Sequence, residues 1–366
     1  MLLPIQAQAK YASLIMDANT GRVLHSVNAD TRNYPASLTK MMTLYMIFEA
    51  LEQGKISMKT KWKTSKRAAR QPASKLGLKP GEKITVRDAI FTLITKSAND
   101  VASLVSENLA KTERAFALSM TARARKLGMS RTTFRNASGL AHSGQLSTAH
   151  DMAILAQALM RDFPKRYGYF SKAKFNYQGR TFKNHNKLLK SYKGTDGIKT
   201  GYIRASGFNL VASVVRNGTR LIGVVFGGDS SRKRNAHMIR LLDKAFGILA
   251  AENAPVNDHS TVSLKQDGWT PVITNKLSWG IQVGAFKKES QASEVTHQVS
   301  AIVPKLLNTG YVTVVALTKK NGSVLFRSRI HRIPKKQAYK ACRILKKRGT
   351  NCLVVRLTVS QQVASN

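Results

Sequence analysis

Residues 208–228, FNLVASVVRNGTRLIGVVFGG, place two apolar runs on either side of Asn217-Gly218. Asn-Gly between such runs favours a two-residue turn whose twist suits antiparallel strands, so a long hairpin is predicted. A lone hairpin is marginal in water and needs more strands or a packed face. A second strand–turn–strand pattern, YASLIMDANTGRVLHSVN, occupies 11–28, with its turn at Asn19-Thr20-Gly21. Helical patterns fill the space between the two hairpins. Strands at both ends with helices between them predict one sheet built from both ends of a unit spanning 10–250 and covered by a helical region.

The intervening helices have start signals. Residues 35–53 begin at a proline and carry an apolar stripe at Met41, Leu44, Tyr45, Phe48 and Leu51. Residues 85–110 read as helical from Thr85, interrupted near Lys96-Ser97. STAHDMAILAQALM is capped by Ser147 or Thr148, with Asp151 behind it. RKRNAHMIRLLDKAFGILA closes the unit as an amphipathic helix. Residues 251–277 are polar and turn-rich, and they read as a linker. From Ser278 to Leu357 the pattern restarts as strand, helix, strand, strand, helix, strand. WGIQVGAFKKESQASEV and FRSRIHRIPKKQAYKAC echo each other, which gives a small ferredoxin-like βαββαβ layer. The fold class is therefore mixed α/β of the α+β kind, in two domains.

A net charge of +41 draws such a surface to polyanions: nucleic acid, anionic lipid headgroups or an anionic wall polymer. The charge is spread along the chain. From Ser278 onward there are 16 Lys and Arg against 2 acids, or +14. No zinc-finger, basic-zipper or RNP-type signature accompanies it, so no specific nucleic-acid partner is expected; contact with an anionic membrane surface stays open. No run of about 18 apolar residues appears, so no spanning helix is predicted. MLLPIQAQAK ends in Ala7-Gln8-Ala9, an A-x-A cleavage pattern. Residues 1–9 therefore read as the remnant of a secretory signal, against the alternative of an ordinary lead-in to the first strand. The two cysteines, Cys342 and Cys352, would form one disulfide in an exported chain or remain two buried thiols.

NYPASLTKMMTLY sets Ser37 three residues before Lys40 at the mouth of an apolar helix. Positions i and i+3 share a helix face, so Lys40 can reach Ser37. A serine hydroxyl is a poor nucleophile until a base takes its proton. A lysine serves as that base when burial or a nearby cation lowers its pKa. The first-turn N–H groups around Ser37 suit a developing oxyanion. Alone the pair says little, because S-x-x-K recurs at Ser171/Lys174 and Ser230/Lys233. Two further motifs follow it. Ser97-Ala98-Asn99 puts a hydroxyl and an amide at the break in a helical region, although S-x-N also recurs at Ser26/Asn28 and Ser106/Asn108. Lys199-Thr200-Gly201 is the one K-T-G in the chain, in a turn-to-strand context where Gly201 lets a substrate backbone come close. S-x-x-K, S-D-N and K-T-G in this order are the signature of penicillin-interacting serine enzymes, here with Ala98 in place of the central Asp. His142, His150 and His185 have no assignable orienting carboxylate and read as ordinary surface or core residues. No His/Cys cluster has metal-ligand spacing, so neither a metal nor another cofactor is expected.

Together with RNASGL, LSTAHDMAILAQALM, HNKLL and the hairpin itself, these motifs make residues 10–250 resemble the low-molecular-mass penicillin-binding proteins, the serine-type D-Ala-D-Ala carboxypeptidases. The resemblance implies a serine-β-lactamase/transpeptidase-like fold and an acyl-enzyme on Ser37 with Lys40 as its base. Ser97 would pass the proton toward the leaving amine, Asn99 would hold the substrate amide and Lys199 would assist electrostatically. Lys199 and Thr200 would bind the terminal carboxylate. The oxyanion would lie between the N–H groups of Ser37 and Tyr202, beyond Gly201; Tyr202 stands where relatives carry histidine. The implied partners are peptidoglycan stem peptides, with β-lactams as covalent inhibitors.

Residues 278–357 resemble the SPOR domain, a peptidoglycan-binding module, through Gln282, Gly284, Phe286 and Ala292 and through GTNCLVVRL. That implies glycan-strand binding across a sheet face by Gln282, with Arg327 and Arg329 nearby. RIHRIP departs from the family near His331. In the family picture Cys342 lies on the second helix and Cys352 opens the last strand, which favours a Cys342–Cys352 disulfide. The expected protein is a periplasmic or secreted, wall-associated D,D-carboxypeptidase. Two other readings stay open: a D,D-endopeptidase that cuts cross-links and a non-catalytic wall-binding division scaffold.

Overall fold

The first hairpin pattern folds as β1 (Ala12–Asp17) and β2 (Val23–Val27), antiparallel. The computed structural model describes residues 11–253, 278–287, 291–292, 295, 298–299, 302–307, 311–318 and 323–357. The signal remnant at 1–9 and the linker beyond residue 253 lie outside the described residues. Two short hairpins, β3–β4 (Lys61–Lys63, Lys83–Thr85) and β5–β6 (Lys174–Tyr177, Arg180–Lys183), stand apart from the main sheet. That sheet is completed by β7 (Thr195–Ile203), β8 (Gly207–Arg216) and β9 (Thr219–Gly228), in the antiparallel order β2-β1-β9-β8-β7. The β8–β9 turn has Asn217 at φ 49° and Gly218 at φ 77°, the two positive angles that a type I′ turn demands. The first strand thus pairs with the last, and the sheet is built from both ends of the unit.

Both faces of the sheet are covered. Leu14, Met16, Ile222, Val224 and Phe226 face the helical region. Ile15, Leu210, Val214 and Val225 alternate onto the other face, against the long helix Ser231–Asn253. This is why the central strands are apolar almost throughout.

The helix Lys40–Glu52 follows a 3₁₀ turn over Ala36–Thr39. The single stripe expected from its sequence is too narrow a description. Met41, Met42, Leu44, Tyr45, Ile47 and Phe48 are all buried, while Leu51 is only partly so. An all-round apolar helix is a central one, wrapped by its neighbours. The helical region 85–110 breaks into Val86–Thr95 and Asn99–Ala110. Thr85 Oγ1 accepts the Asp88 N–H at the start of the first helix. The later helix Ala149–Asp162 is capped by Thr148, which accepts from the Asp151 N–H at 3.0 Å.

The chain divides into two units, Met1–Val256 and Asn257–Asn366. The second contains β10 (Ser278–Phe286), β11 (Tyr311–Thr318), β12 (Val324–Ile333) and β13 (Leu353–Leu357), antiparallel in the order β11-β12-β10-β13. Helical residues between 291 and 307 and the helix Lys335–Lys347 make up the βαββαβ sequence. Ile281, Val283, Ile330, Ile333 and Leu345 form its core. Cys342 and Cys352 are disulfide-bonded, Cα–Cα 5.2 Å, tying that helix to the approach to β13.

Candidate active site

Ser37 stands in the 3₁₀ turn at the entrance to the central helix, half-exposed, and Lys40 opens the helix itself, fully buried. A 3₁₀ turn eclipses i and i+3, which directs Lys40 Nζ back to Ser37 Oγ at 3.2 Å. The same nitrogen lies 2.8 Å from Asn99 Oδ1 and 2.6 Å from the carbonyl of Ser138. Asn99 is oriented by its own Nδ2, which donates to the Pro72 carbonyl at 3.0 Å and so fixes Oδ1 toward the lysine. Two of the three partners of Lys40 can only accept. A neutral amine has two N–H groups for them and a lone pair left for the serine hydroxyl. Burial drives the Lys40 amine well below the ordinary lysine range, and the nearby Lys199 adds to this. Asp100 and Glu113 pull weakly the other way.

The loops that hold this arrangement have specific anchors. Gly139 follows Ser138 at φ +89°, and a Cβ there would meet the Ala36 carbonyl oxygen at 1.8 Å; only glycine lets the Ser138 carbonyl reach Lys40. The Asp100 carboxylate accepts the N–H groups of Leu76, Gly77 and Leu78, which pins the loop carrying Ser74. Asn209 Nδ2 donates to the Tyr34 carbonyl and its Oδ1 accepts the Gly227 N–H, fastening the approach to Ser37 onto the sheet.

Ser97 occupies the break between the two helices at φ 59°. Its hydroxyl is buried and has no hydrogen-bond partner among the described residues. An unpaired buried hydroxyl is costly and is held where a ligand can satisfy it. It shares a cavity of about 560 Å³ with Ser37, Asn99, Thr200, Gly201 and Tyr202. β7, the edge strand of the sheet, forms the opposite wall. A Cβ at Gly201 would stand 3.0 Å from Ser37 N and from the Pro35 carbonyl, so the strand backbone lies directly against the nucleophile's amide. Lys199 is buried on this strand and its Nζ donates to the Thr200 carbonyl at 3.1 Å. Burial, with Arg234 as the second cause, holds it down at about 7. Tyr202 is exposed and lies against Phe208, ring centroids 4.3 Å apart.

All the residues singled out in the first unit from sequence therefore meet around one cavity or brace it. Arg234 was not among them. It is 4% exposed, lines the cavity, donates Nη1 to the Asn209 carbonyl at 2.9 Å, and is lowered to about 10 by burial. It sits in the basic run RKRNAH, and nothing in that run distinguishes a buried arginine from its solvated neighbours. The Ser138 carbonyl was equally invisible, because a backbone acceptor carries no residue signature. His185 lines the cavity, and no carboxylate pairs with it among the described residues. The expectation that no carboxylate orients any of the three histidines fails at His150. Its Nδ1 is 3.2 Å from Asp30 Oδ1, a pair made possible where the helix start meets the loop after β2. Neither residue lines the cavity. Among the described residues no group of His, Cys, Asp or Glu could hold a metal, and no helix is long and apolar enough to cross a membrane.

In the second unit Arg329 Nε donates to Gln282 Oε1 at 2.9 Å, across paired positions of β10 and β12. Arg327 and Arg329 alternate with the core residues of β12, so both belong to the sheet face away from the helices. Burial lowers Arg329, and Arg327 contributes.

The D-alanyl-D-alanine carboxypeptidase family model matches residues 3–230 and the SPOR domain model matches residues 277–356. The chain is similar to the D-alanyl-D-alanine carboxypeptidase DacF of Bacillus subtilis, 38% identical over 337 residues, covering 88% of this chain and 84% of that protein. Among solved structures it is similar to penicillin binding protein 5 from Haemophilus influenzae, with TM-score 0.63 and 34% identity, covering 68% of this chain and 73% of that one. It is also similar to penicillin-binding protein D2 from Listeria monocytogenes in a cefotaxime-bound form, with TM-score 0.60 and 30% identity, covering 67% and 99%.

Proposed function

The chain belongs to the D-alanyl-D-alanine carboxypeptidase family, and from that premise we propose that Ser37 attacks the amide between the last two D-alanines of a peptidoglycan stem peptide. The enzyme is a serine-type D-Ala-D-Ala carboxypeptidase, and its SPOR domain directs it to the wall. The observation that carries the residue assignment is the hydrogen-bond set of Lys40. With two N–H groups committed to Asn99 Oδ1 and the Ser138 carbonyl, the lone pair faces the Ser37 hydroxyl.

The hydroxyl proton passes to Lys40 as Ser37 Oγ bonds to the carbonyl carbon. The oxyanion is held by the N–H groups of Ser37 and Tyr202 on the two backbones that Gly201 allows to approach. The C–N bond then breaks, and the leaving nitrogen receives its proton through Ser97. A water molecule hydrolyses the resulting ester, with Lys40 again taking the proton. Asn99 holds the substrate amide. Lys199, Thr200 and Arg234 receive the terminal carboxylate, and Arg234 stays charged at neutral pH. β-Lactams acylate the same serine.

In the second unit, the face bearing Gln282, Arg327 and Arg329 binds glycan strands. The working division is a catalytic unit at 10–250, a linker at 251–277 and a SPOR unit at 278–357. The protein works at the cell wall, on the periplasmic or secreted side.

The test is mass spectrometry of the purified protein with a soluble pentapeptide and with a cross-linked dimer. Release of one D-Ala from the pentapeptide with the dimer left intact is the expected result. Cleavage of the dimer in preference would favour the endopeptidase.

A further inference from the structure

We propose that a basic groove adjoining the catalytic cavity is a subsite for a carboxylate on the acyl side of the scissile bond, so that the enzyme selects stem peptides with a free acidic residue upstream of D-Ala-D-Ala. The inference rests on the carboxypeptidase reading of the site.

The groove encloses about 300 Å³ between Arg67 and Gln71 on one side, the start of the helix Glu113–Lys126 on another, and the loop carrying Arg135, Leu140 and His142. Two chain segments border both the groove and the catalytic cavity. Leu140 lines both spaces, and its neighbour Gly139 lines the cavity. Gln71 lines the groove, while Ala73 and Ser74, two and three residues on, line the cavity. The two spaces therefore adjoin along the same two loops.

The direction of a bound peptide follows from the other wall. Lys199, Thr200 and Arg234 belong to β7 and to the helix Ser231–Asn253. They take the terminal carboxylate and hold the leaving D-Ala. The acyl portion lies away from that wall, and Ser74 and Leu140 line the cavity on the side where the groove adjoins it.

The groove's charge is unbalanced. Glu113 is buried there, and its carboxylate is committed to the Arg67 guanidinium, the Ser103 hydroxyl and the Ala137 N–H. Arg114 and Arg135 have no ion-pair partner among the described residues, and both are exposed. The Arg135 guanidinium lies against the Gly144 backbone, where a Cβ would come 2.8 Å from its Nε. Two unpaired guanidinium forks facing one cleft are suited to a carboxylate, which they bind bidentately. The same loop carries the Ser138 carbonyl that holds Lys40, and Asn136 braces it through the N–H groups of Ser138 and Gly139. An occupant of the groove therefore touches the loop that sets the general base.

The mechanism given above makes no use of the groove, and the SPOR unit is not involved. The ligand is a carboxylate within the same peptide. A phosphate-bearing wall polymer in the groove is the outcome that would overturn this.

The test uses two tetrapeptides, L-Ala-γ-D-Glu-L-Lys-D-Ala with the D-Glu α-carboxyl free or amidated, titrated by calorimetry into the full-length protein. The acid should bind about tenfold tighter than the amide at low salt. The advantage should shrink toward 1 M salt, because the arginines are exposed. The Arg114→Gln/Arg135→Gln protein, its folding checked by thermal melting, should narrow the gap to about twofold. Arg135→Lys, which keeps the charge and loses the fork, should retain only part of the gap. Equal binding of acid and amide to the wild type, or a full gap in the double variant, overturns the proposal. So does tighter binding of a polyphosphate than of the acid peptide. D-Ala release from the matching pentapeptides is measured separately and tests the carboxypeptidase reading, while the acid-to-amide ratio tests the groove.

Discussion

The two units use charge in opposite ways. In the first, Lys40, Lys199 and Arg234 are buried, and burial heads the causes that lower each of them. In the second, the buried cation Arg329 is an arginine committed to Gln282 on a sheet face, and the lysines Lys335, Lys340, Lys346 and Lys347 of its helix are exposed. A lysine in water is a cation and cannot take a proton; a lysine stripped of water can. Catalysis here requires desolvation, whereas wall recognition requires only a face that presents donors. A +41 chain can thus be basic all over and yet strip the water from two of its lysines at one site.

The comparison is broken most severely by removing the base. Lys40→Met keeps the bulk of a fully buried side chain and removes the amine. Acylation by benzylpenicillin should slow about 10²–10⁴-fold, read by stopped-flow or intact-mass kinetics. A loss under about tenfold would show that another group takes the Ser37 proton.

A smaller effect is expected at the leaving end. Amidating the last D-Ala removes a charge-assisted contact to Lys199, Thr200 and Arg234 and should cost roughly 10–150-fold in kcat/KM. Equal cleavage of acid and amide would mean that the buried cations do not read the terminus.

The Lys199 amine gives a pH signature. It is held at about 7, far below the ordinary lysine range, so it loses its charge as pH rises through 7. KM for the free-acid peptide should therefore rise between pH 7 and 9, and that for the amide should not. The sign for stability is the reverse. Between about 7 and 10 the unfolded chain binds the proton that the folded chain rejects, so this group makes the ligand-free protein more stable with rising pH.

The smallest effect on chemistry should come from the second unit. Deleting 278–366 should leave hydrolysis of a soluble peptide within about twofold and lower activity on intact sacculi, since tethering acts through effective concentration. Wall binding that vanishes in 1 M salt would reduce that unit to a basic patch.

Where chemistry is local in sequence, it could be read there. Ser37 and Lys40 are three apart, and Asn217-Gly218 specifies its own turn. That one sheet is built from both ends of the unit was legible because both hairpins are apolar and lie at its opposite ends. The fully buried central helix was not, because one helix's residues cannot reveal how many neighbours will wrap it. Arg234 and the Ser138 carbonyl were also illegible. The first is one arginine in a basic run, and the second is a backbone atom placed by Gly139 and Asn136. Their roles depend on contacts between segments about 98 residues apart in the case of Lys40 and Ser138.

The central claim is that Ser37 is activated by a Lys40 amine that burial holds well below the ordinary lysine range. The most direct measurement is the rate of benzylpenicillin acylation from pH 5 to 11, with the adduct mapped by peptide mass spectrometry. A single adduct on Ser37, formed at a rate that reaches its plateau well below the ordinary lysine pKa, is the predicted result. An adduct on another residue, or a Ser37 adduct whose rate keeps climbing to an ordinary lysine pKa above pH 10, would contradict it.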